Sequence, residues 1–402
     1  MVLSAGQVFA DDWIGIAPIN SQREGLCAVA LMGDIYVIGG SANPGIVYAT
    51  VEKYLQSIDQ WVEIAPLNHP RTFAAAAVVD NKIFVFGGRE NSATMVTAVE
   101  MFDPLAGYWQ DVTDMDYPRE GLSAVTKDDK IWLIGGYSPT LGYSNMVEVF
   151  DPANYEISLN IIPAIYPSRA GHGAVVTGGE VRILGGINYQ ILNNHTVWQD
   201  SNWVESPYSL PVPRFNLRVG ITGDSMIVTG GFDGESPINL VECFDFAANQ
   251  WTTIQPMLYN RSGHALAVLN DTVYVIGGFG GYVADHGYLA SGEMLIRSVN
   301  VVDPRKNTVD GYRLNCYPNP FNSRLTIDLN QDNTLSEIES VRLFNSLGEM
   351  VFSWGEQEII FSGNRLFWNG NTLQGVFAPS GVYFVNIFGK ELNSSTKVIL
   401  LK

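Results

Sequence analysis

The chain has 402 residues, 46% hydrophobic and only 16% charged, and its 41 acids against 23 bases give a formal net charge of −18. That apolar content supports folded cores and excludes a disordered chain. The acidic balance excludes a nucleic-acid partner and an anionic membrane surface, both of which need a basic face. No run approaches the roughly 18 apolar residues of a membrane span, so no transmembrane segment is expected. Three cysteines, Cys27, Cys243 and Cys316, make neither a disulfide framework nor a C-x-x-C metal pair. Cys27 and Cys243 fall in expected strands and read as small packed hydrophobes.

Residues 1–10 are weakly apolar and end in Val8-Phe9-Ala10 before Asp11-Asp12. Small residues there suit a signal-peptide cleavage site, but a positively charged n-region is missing. The segment reads either as a signal-peptide remnant or as a plain N-terminal lead-in. From Trp13 onward one pattern dominates. A β-branched or aromatic run ending in a glycine pair recurs at Gly39-Gly40, Gly87-Gly88, Gly135-Gly136, Gly185-Gly186, Gly230-Gly231 and Gly277-Gly278. An arginine precedes each pair: Arg23, Arg71, Arg119, Arg169, Arg214 and Arg261. Val-Glu follows at Val51-Glu52, Val99-Glu100, Val147-Glu148 and Val241-Glu242, with Trp61, Trp109 and Trp251 nine positions after the glutamate. Each unit of 45–50 residues reads as four short strands without a helix.

This register resembles the kelch repeat. The resemblance covers residues 11–304 and implies a six-bladed β-propeller. Unit three departs from it with Ile157 in place of tryptophan, and unit four reads Val197-Trp198 in place of Val-Glu. Unit six offers Val299 to Asp303 as its third strand and no tryptophan strand after it. Trp13 to Pro18 matches Trp61 to Pro66, so the N-terminal strand is expected to complete the last blade and hide its edge. Within the repeat, the glycines serve turns, Trp13, Trp61, Trp109 and Trp251 fill space between sheets, and the arginines and glutamates pair between strands.

Residues 305–314 read as a linker. From 315 to 402 the chain opens on Tyr317 to Asn322 (YPNPFN), then runs through LFNSLGE, Trp368 to Gly375 and SGVYF to a basic end. This tail is similar to the type A C-terminal sorting domain of the type IX secretion system of Bacteroidota-like bacteria. The resemblance implies a small Ig-like β-sandwich, export to the cell surface or beyond, and the type IX machinery as partner. The whole chain is therefore expected to be all-β.

Catalytic motifs such as H-E-x-x-H and G-x-S-x-G are absent, and no metal or other cofactor is expected. Residues shared by every unit serve the unit, so a specific site belongs where the units differ. The gap from the second glycine to the next valine is 11 residues in units one to four, 10 in unit five and 21 in unit six. The resulting insertion, Phe279 to Ser298, holds Tyr282, Asp285, His286, Tyr288 and Glu293. In kelch propellers this loop and the one at the arginine share a channel mouth, which would also gather Arg89, Tyr137, Tyr143, Tyr189, Phe232, Glu24, Glu120 and Ser262. Aromatics with a few charges suit an extracellular carbohydrate or protein ligand. The alternative is a sugar-acting enzyme resembling the kelch-type sialic acid mutarotases. Carboxylates with raised pKa at the mouth favour the enzyme, and solvated ones favour binding.

Fused to a reporter that carries a complete signal peptide, residues 315–402 should send it outside a host with type IX secretion. Retention in the periplasm beside a working control tail would contradict the assignment.

Overall fold

Alternating β-branched and aromatic side chains between two-residue turns make strands of about five residues, and the turns force each strand back along the last. Lys82–Phe86 shows the pattern: its four apolar side chains are buried on both faces because each sheet lies between two others. The structure, a computed structural model, describes residues 12–42, 45–281, 287–296, 315–317, 324–329, 338–345, 350–355, 365–373, 375–389 and 393–400. The expected signal-peptide remnant (1–10) and linker (305–314) lie outside the described residues. The chain divides into two compact units near residue 297.

The described residues of the first unit form six four-stranded antiparallel sheets. Blade one runs outward from Cys27–Leu31 through Asp34–Ile38 and Val51–Leu55 to Gln60–Ile64. The inner strands are Cys27–Leu31, Ala75–Val79, Ser123–Lys127, Gly173–Thr177, Arg218–Thr222 and Ala265–Leu269, each packed on the next, and the last packs on the first. The ring is therefore closed. Asp12–Ile16 is the outer strand of blade six, paired with Gly292–Ile296.

The strand register corrects the sequence reading twice. The third strand of blade six is Gly292–Ile296, not Val299 to Asp303, because Glu293 faces Val275 as Glu52 faces Val37 in blade one. Gly292 comes fourteen positions after Gly278, against eleven from Gly40 to Val51, so the insertion is three residues long rather than ten. In blade four, His195-Thr196 takes the place of Val-Glu, not Val197-Trp198. Period-two alternation allows a shift by two without moving any side chain to the other face, which hid this slip from sequence inspection.

Three interactions lock neighbouring blades. The second glycine N–H donates to the carbonyl of the next blade's arginine: Gly40 to Arg71, Gly88 to Arg119, Gly136 to Arg169, Gly186 to Arg214, Gly231 to Arg261 and Gly278 to Arg23, all at 2.8–2.9 Å. The outer-strand tryptophans donate to the preceding blade: Trp13 to Gln255, Trp61 to Ala17, Trp109 to Ala65, Trp203 to Pro163 and Trp251 to Tyr208. Ile157 leaves blade three without this bond. A third set forms a cycle of backbone bonds at the channel: Phe73 N–H to Gly25 O, Gly121 to Phe73, Gly171 to Gly121, Asn216 to Gly171, Gly263 to Asn216 and Gly25 to Gly263, at 2.7–3.0 Å.

Inside each blade the arginine side chain is buried. It pairs with glutamate in Arg23–Glu52 (2.7 Å), Arg71–Glu100 (2.5 Å), Arg119–Glu148, Arg214–Glu242 (2.5 Å) and Arg261–Glu293 (2.8 Å). In blade four Arg169 instead reaches Thr196 Oγ1 at 3.3 Å, and that hydroxyl donates to Glu205 at 3.2 Å.

The second unit has a three-stranded sheet (Asn315–Tyr317, Leu325–Asp328, Arg365–Trp368) and a four-stranded one (Met350–Gly355, Ile338–Asn345, Gly381–Gly389, Asn393–Leu400). Leu325, Ile327, Leu366 and Trp368 of the first share a core with Val341, Leu343, Val385, Ile387 and Val398 of the second.

A Cβ on Gly87 would lie 2.3 Å from the Arg119 carbonyl oxygen, whereas one on Gly33, also at positive φ, meets nothing within 4 Å. Gly87→Ala should therefore cost about 1–3 kcal/mol more than Gly33→Ala in urea unfolding. Equal losses would remove the steric account of the glycine pair.

Candidate functional site

The residue after each arginine pairs with the residue after each glycine pair: Glu24 with Ser41, Thr72 with Arg89, Glu120 with Tyr137, Ala170 with Ile187, Phe215 with Phe232 and Ser262 with Phe279. These bridges place both loops of all six blades at one mouth. Beyond them the chain turns back in short hairpins, including Tyr137–Ser138 on Gly142–Tyr143 and the bridge from Phe279 to Tyr288. The hydrogen-bonded cycle of Gly25, Phe73, Gly121, Gly171, Asn216 and Gly263 follows immediately inside. All six residues have φ between 52° and 64°. Four are glycine, the residue suited to that conformation, and Phe73 holds it as a bulky residue.

The mouth has three chemically distinct arcs. Blades one to three carry Glu24, Phe73, Arg89 and Glu120. Arg89 Nε lies 3.2 Å from Glu120 Oε2, and its guanidinium is 5.7 Å from the Phe73 ring centroid. A Cβ on Gly263 would meet both Glu24 Oε2 and Phe73 Cε1 at 3.4 Å, so carboxylate and ring converge on that glycine. Burial pushes the Glu24 carboxyl up to about 7 against the pull of Arg89, and pushes Glu120 up for the same reason. Arg89 pairs with Glu120 and acts on Glu24 through its charge alone. The second arc is tyrosine: Tyr137 and Tyr143 lie 5.2 Å apart, Tyr143 and Tyr189 5.2 Å apart and edge-on, with Tyr189 86% exposed. The third holds Phe215 with Phe232 at 5.5 Å and Phe279 with Tyr288 at 5.6 Å. Beside it, a recess of about 200 Å³ is lined by Leu258, Tyr259, Asn260, Gly280 and Leu289.

The sequence-expected residues Glu24, Arg89, Glu120, Tyr137, Tyr189, Phe232, Phe279 and Tyr288 all stand on these loops. Tyr282, Asp285 and His286 lie outside the described residues. Glu293 is no mouth residue: it is fully buried on Arg261. Sequence reading missed Phe73 and Phe215. The signal was available within the chain, since Phe73 stands where units one, three, four and six have glycine.

His172 and His264 occupy the position held by leucine in blades one, three and five, each with its ring against a glycine of the preceding pair. Burial drives His172 down to about 3 and His264 well below its usual value. Among the described residues no three His, Cys, Asp or Glu side chains gather into a metal-holding group. No helix among them is long and apolar enough to cross a membrane.

Comparison with known proteins gives two family matches. Residues 35–286 match the Attractin/LZTR1 β-propeller, and residues 315–401 match the secretion system C-terminal sorting domain. The latter indicates secretion and cell-surface attachment through the type IX system. Kelch-like protein 25 of Homo sapiens is 29% identical over 146 residues, 36% of this chain and 23% of that protein. Kelch-like protein 6 of Homo sapiens is 34% identical over 108 residues, 26% of this chain and 17% of that protein. The matched segments thus span less than a quarter of either relative. The solved structure titled "Structure of YjhT" superposes with a TM-score of 0.60 at 15% identity, covering 71% of this chain and 98% of that one, a likeness of fold.

Glu24 sets a pH dependence. Its folded value of about 7 exceeds its ordinary 4.5, so its contribution to stability is complete below about 4.5 and is lost as pH rises through 7. His172 works oppositely: its contribution is present above 6.5 and is lost as pH falls toward 3. Glu24→Gln removes only the first. Its melting temperature should match the parent near pH 4.5 and exceed it by roughly 2–4 °C at pH 8. A difference independent of pH would contradict the desolvated carboxyl.

Proposed function

Since the chain belongs to the Attractin/LZTR1 β-propeller family and carries a type IX sorting tail, we propose that this secreted propeller binds carbohydrate at the mouth bearing Glu24, Phe73, Arg89 and Glu120. The observation that carries the reading is Phe73. A bulky side chain at φ 52° costs conformational energy that a glycine would avoid, yet it stands where four of six blades have glycine. Its ring offers an apolar platform for the C–H face of a sugar. Glu120, paired with Arg89, and the nearby Glu24 offer acceptors for paired hydroxyls around it. The tyrosine arc extends the aromatic surface for further sugar units of a polysaccharide.

A second reading is favoured by one observation. With its carboxyl near 7, Glu24 populates both protonation states at neutral pH, as a general acid–base on a sugar requires. Anomeric exchange of sugars followed by NMR would separate the two. Acceleration by the parent and not by Glu24→Gln supports catalysis.

The binding reading is tested on an array of glycans, followed by calorimetry with the best ligand. Phe73→Ala should weaken binding by about 2 kcal/mol, roughly thirty-fold, with the fold retained. Glu120→Gln should weaken it less. Unchanged affinity in Phe73→Ala would place any glycan site elsewhere.

A further inference from the structure

One charged residue inside the ring of inner strands has no role in the repeat. Two positions after the hydrogen-bonded cycle, the inner strands carry Cys27, Ala75, Ser123, Gly173, Arg218 and Ala265. Their equivalence is set by register, each facing the last residue of its neighbouring strand: Ile38, Phe86, Ile134, Leu184, Thr229 and Ile276. Five of the six are small and uncharged. The fifth blade alone has an arginine.

Side chains here leave toward the following blade. Cys27 Sγ donates to the Ala74 carbonyl at 3.2 Å, and Ser123 Oγ to the His172 carbonyl at 3.0 Å. Arg218 is much longer. Its charge acts on the His264 ring of blade six, the His172 ring of blade four and the Cys27 thiol of blade one. Arg218 stands on the innermost strand of blade five, Arg218–Thr222, which packs on the inner strands of blades four and six, so it belongs to the inside of the ring.

This guanidinium is poorly matched by the protein. Among the described residues it makes one hydrogen bond, from Nη1 to the Leu217 carbonyl at 3.0 Å, out of five N–H groups. No ion pair among the described residues includes it, although five repeat arginines each have a glutamate. Burial lowers its pKa, with only the Cys27 thiol opposing. Yet its Nε and second terminal nitrogen are not closed off, unlike nitrogens of Arg23 and Arg214, and the residue is only half-buried. Nearby, both ring nitrogens of His172 and Nδ1 of His264 lack hydrogen-bond partners. A guanidinium stays charged at any working pH, and a charge in a confined space is stabilised by a counter-charge.

We propose that Arg218 anchors an anion site in the central channel and that its ligand is a compact carboxylate. The planar fork matches a carboxylate through two parallel hydrogen bonds. One positive charge beside neutral imidazoles balances a monoanion rather than a phosphate dianion. The small side chains at the five equivalent positions leave the fork as the one charged feature at that level. The carboxylate belongs either to a free small acid or to a larger molecule seated at the mouth.

The test uses the full chain at constant ionic strength, exchanging sodium chloride for sodium acetate, with glucuronate and neutral glucose as further probes. Acetate should raise the melting temperature saturably. Arg218→Met should weaken acetate binding at least ten-fold in calorimetry, while Arg218→Lys, a point charge without the fork, should retain part of it. Phe73→Ala should leave acetate binding intact, which separates this site from the carbohydrate reading. Glucuronate binding ten-fold tighter than acetate, with the advantage lost in Phe73→Ala, assigns the carboxylate to a ligand spanning mouth and channel. Equal affinities assign it to a free acid. An acetate effect unchanged in Arg218→Met, or no saturable effect of acetate or glucuronate on the parent, overturns the proposal.

Discussion

One arginine per blade holds the propeller together, because it acts on two blades at once. Its backbone carbonyl receives the N–H of the preceding blade's second glycine. Its side chain turns into its own blade, where four of the six also hold the carbonyl of the first glycine: Arg71, Arg119, Arg169 and Arg261. The close carbonyl explains the glycine pair, since a side chain on the first glycine would strike that oxygen in every blade. The buried guanidinium in turn requires the buried carboxylate. Breaking such a pair leaves an unmatched charge, which typically costs about 3–5 kcal/mol. Arginine, glycine pair and glutamate therefore form a single device, repeated.

The fourth blade shows which part of that device is adjustable. There the carboxylate has moved to Glu205 on the adjacent strand and acts through the Thr196 hydroxyl. Burial draws Arg169 down to about 10, with Glu205 opposing. The backbone latch from Gly186 to Arg214 remains in place. Hydrogen-bond geometry between blades is thus kept where the charge arrangement varies, because a displaced strand would open both interfaces of the blade, whereas a charge can be met from more than one direction.

Six equivalent blades also supply a background against which exceptions stand out. Phe73 replaces glycine in the cycle at the mouth, and Arg218 replaces a small side chain just beyond it. Neither improves the scaffold locally: the first holds a conformation glycine adopts freely, and the second places an unmatched charge inside the ring. Blades one to three gather the carboxyls and Arg89, whereas blades three to six are mainly aromatic. This unequal distribution makes the mouth of a nearly symmetric ring chemically asymmetric.

The number of blades, the closure partner and the existence of a separate tail are legible in the residues alone. Those rest on local signals: glycine pairs at fixed spacing, Trp13 ten positions before Arg23, and the run beginning at Tyr317. Spacing counts residues and is blind to which strand a residue pairs with. Spacing therefore makes blade six ten residues longer than its fellows and puts Glu293 in a loop, whereas strand pairing puts it in the third strand, completing the Arg261 pair. The resemblance brings Glu24, Arg89 and Glu120 to one mouth, but their contacts, and the place of Phe73 among them across three blades and nearly a hundred positions, come only from the tertiary structure. The desolvation that raises the two carboxyls, and the confinement that isolates Arg218, come from neighbouring blades. Burial is a property of the assembled ring, and no single repeat carries it.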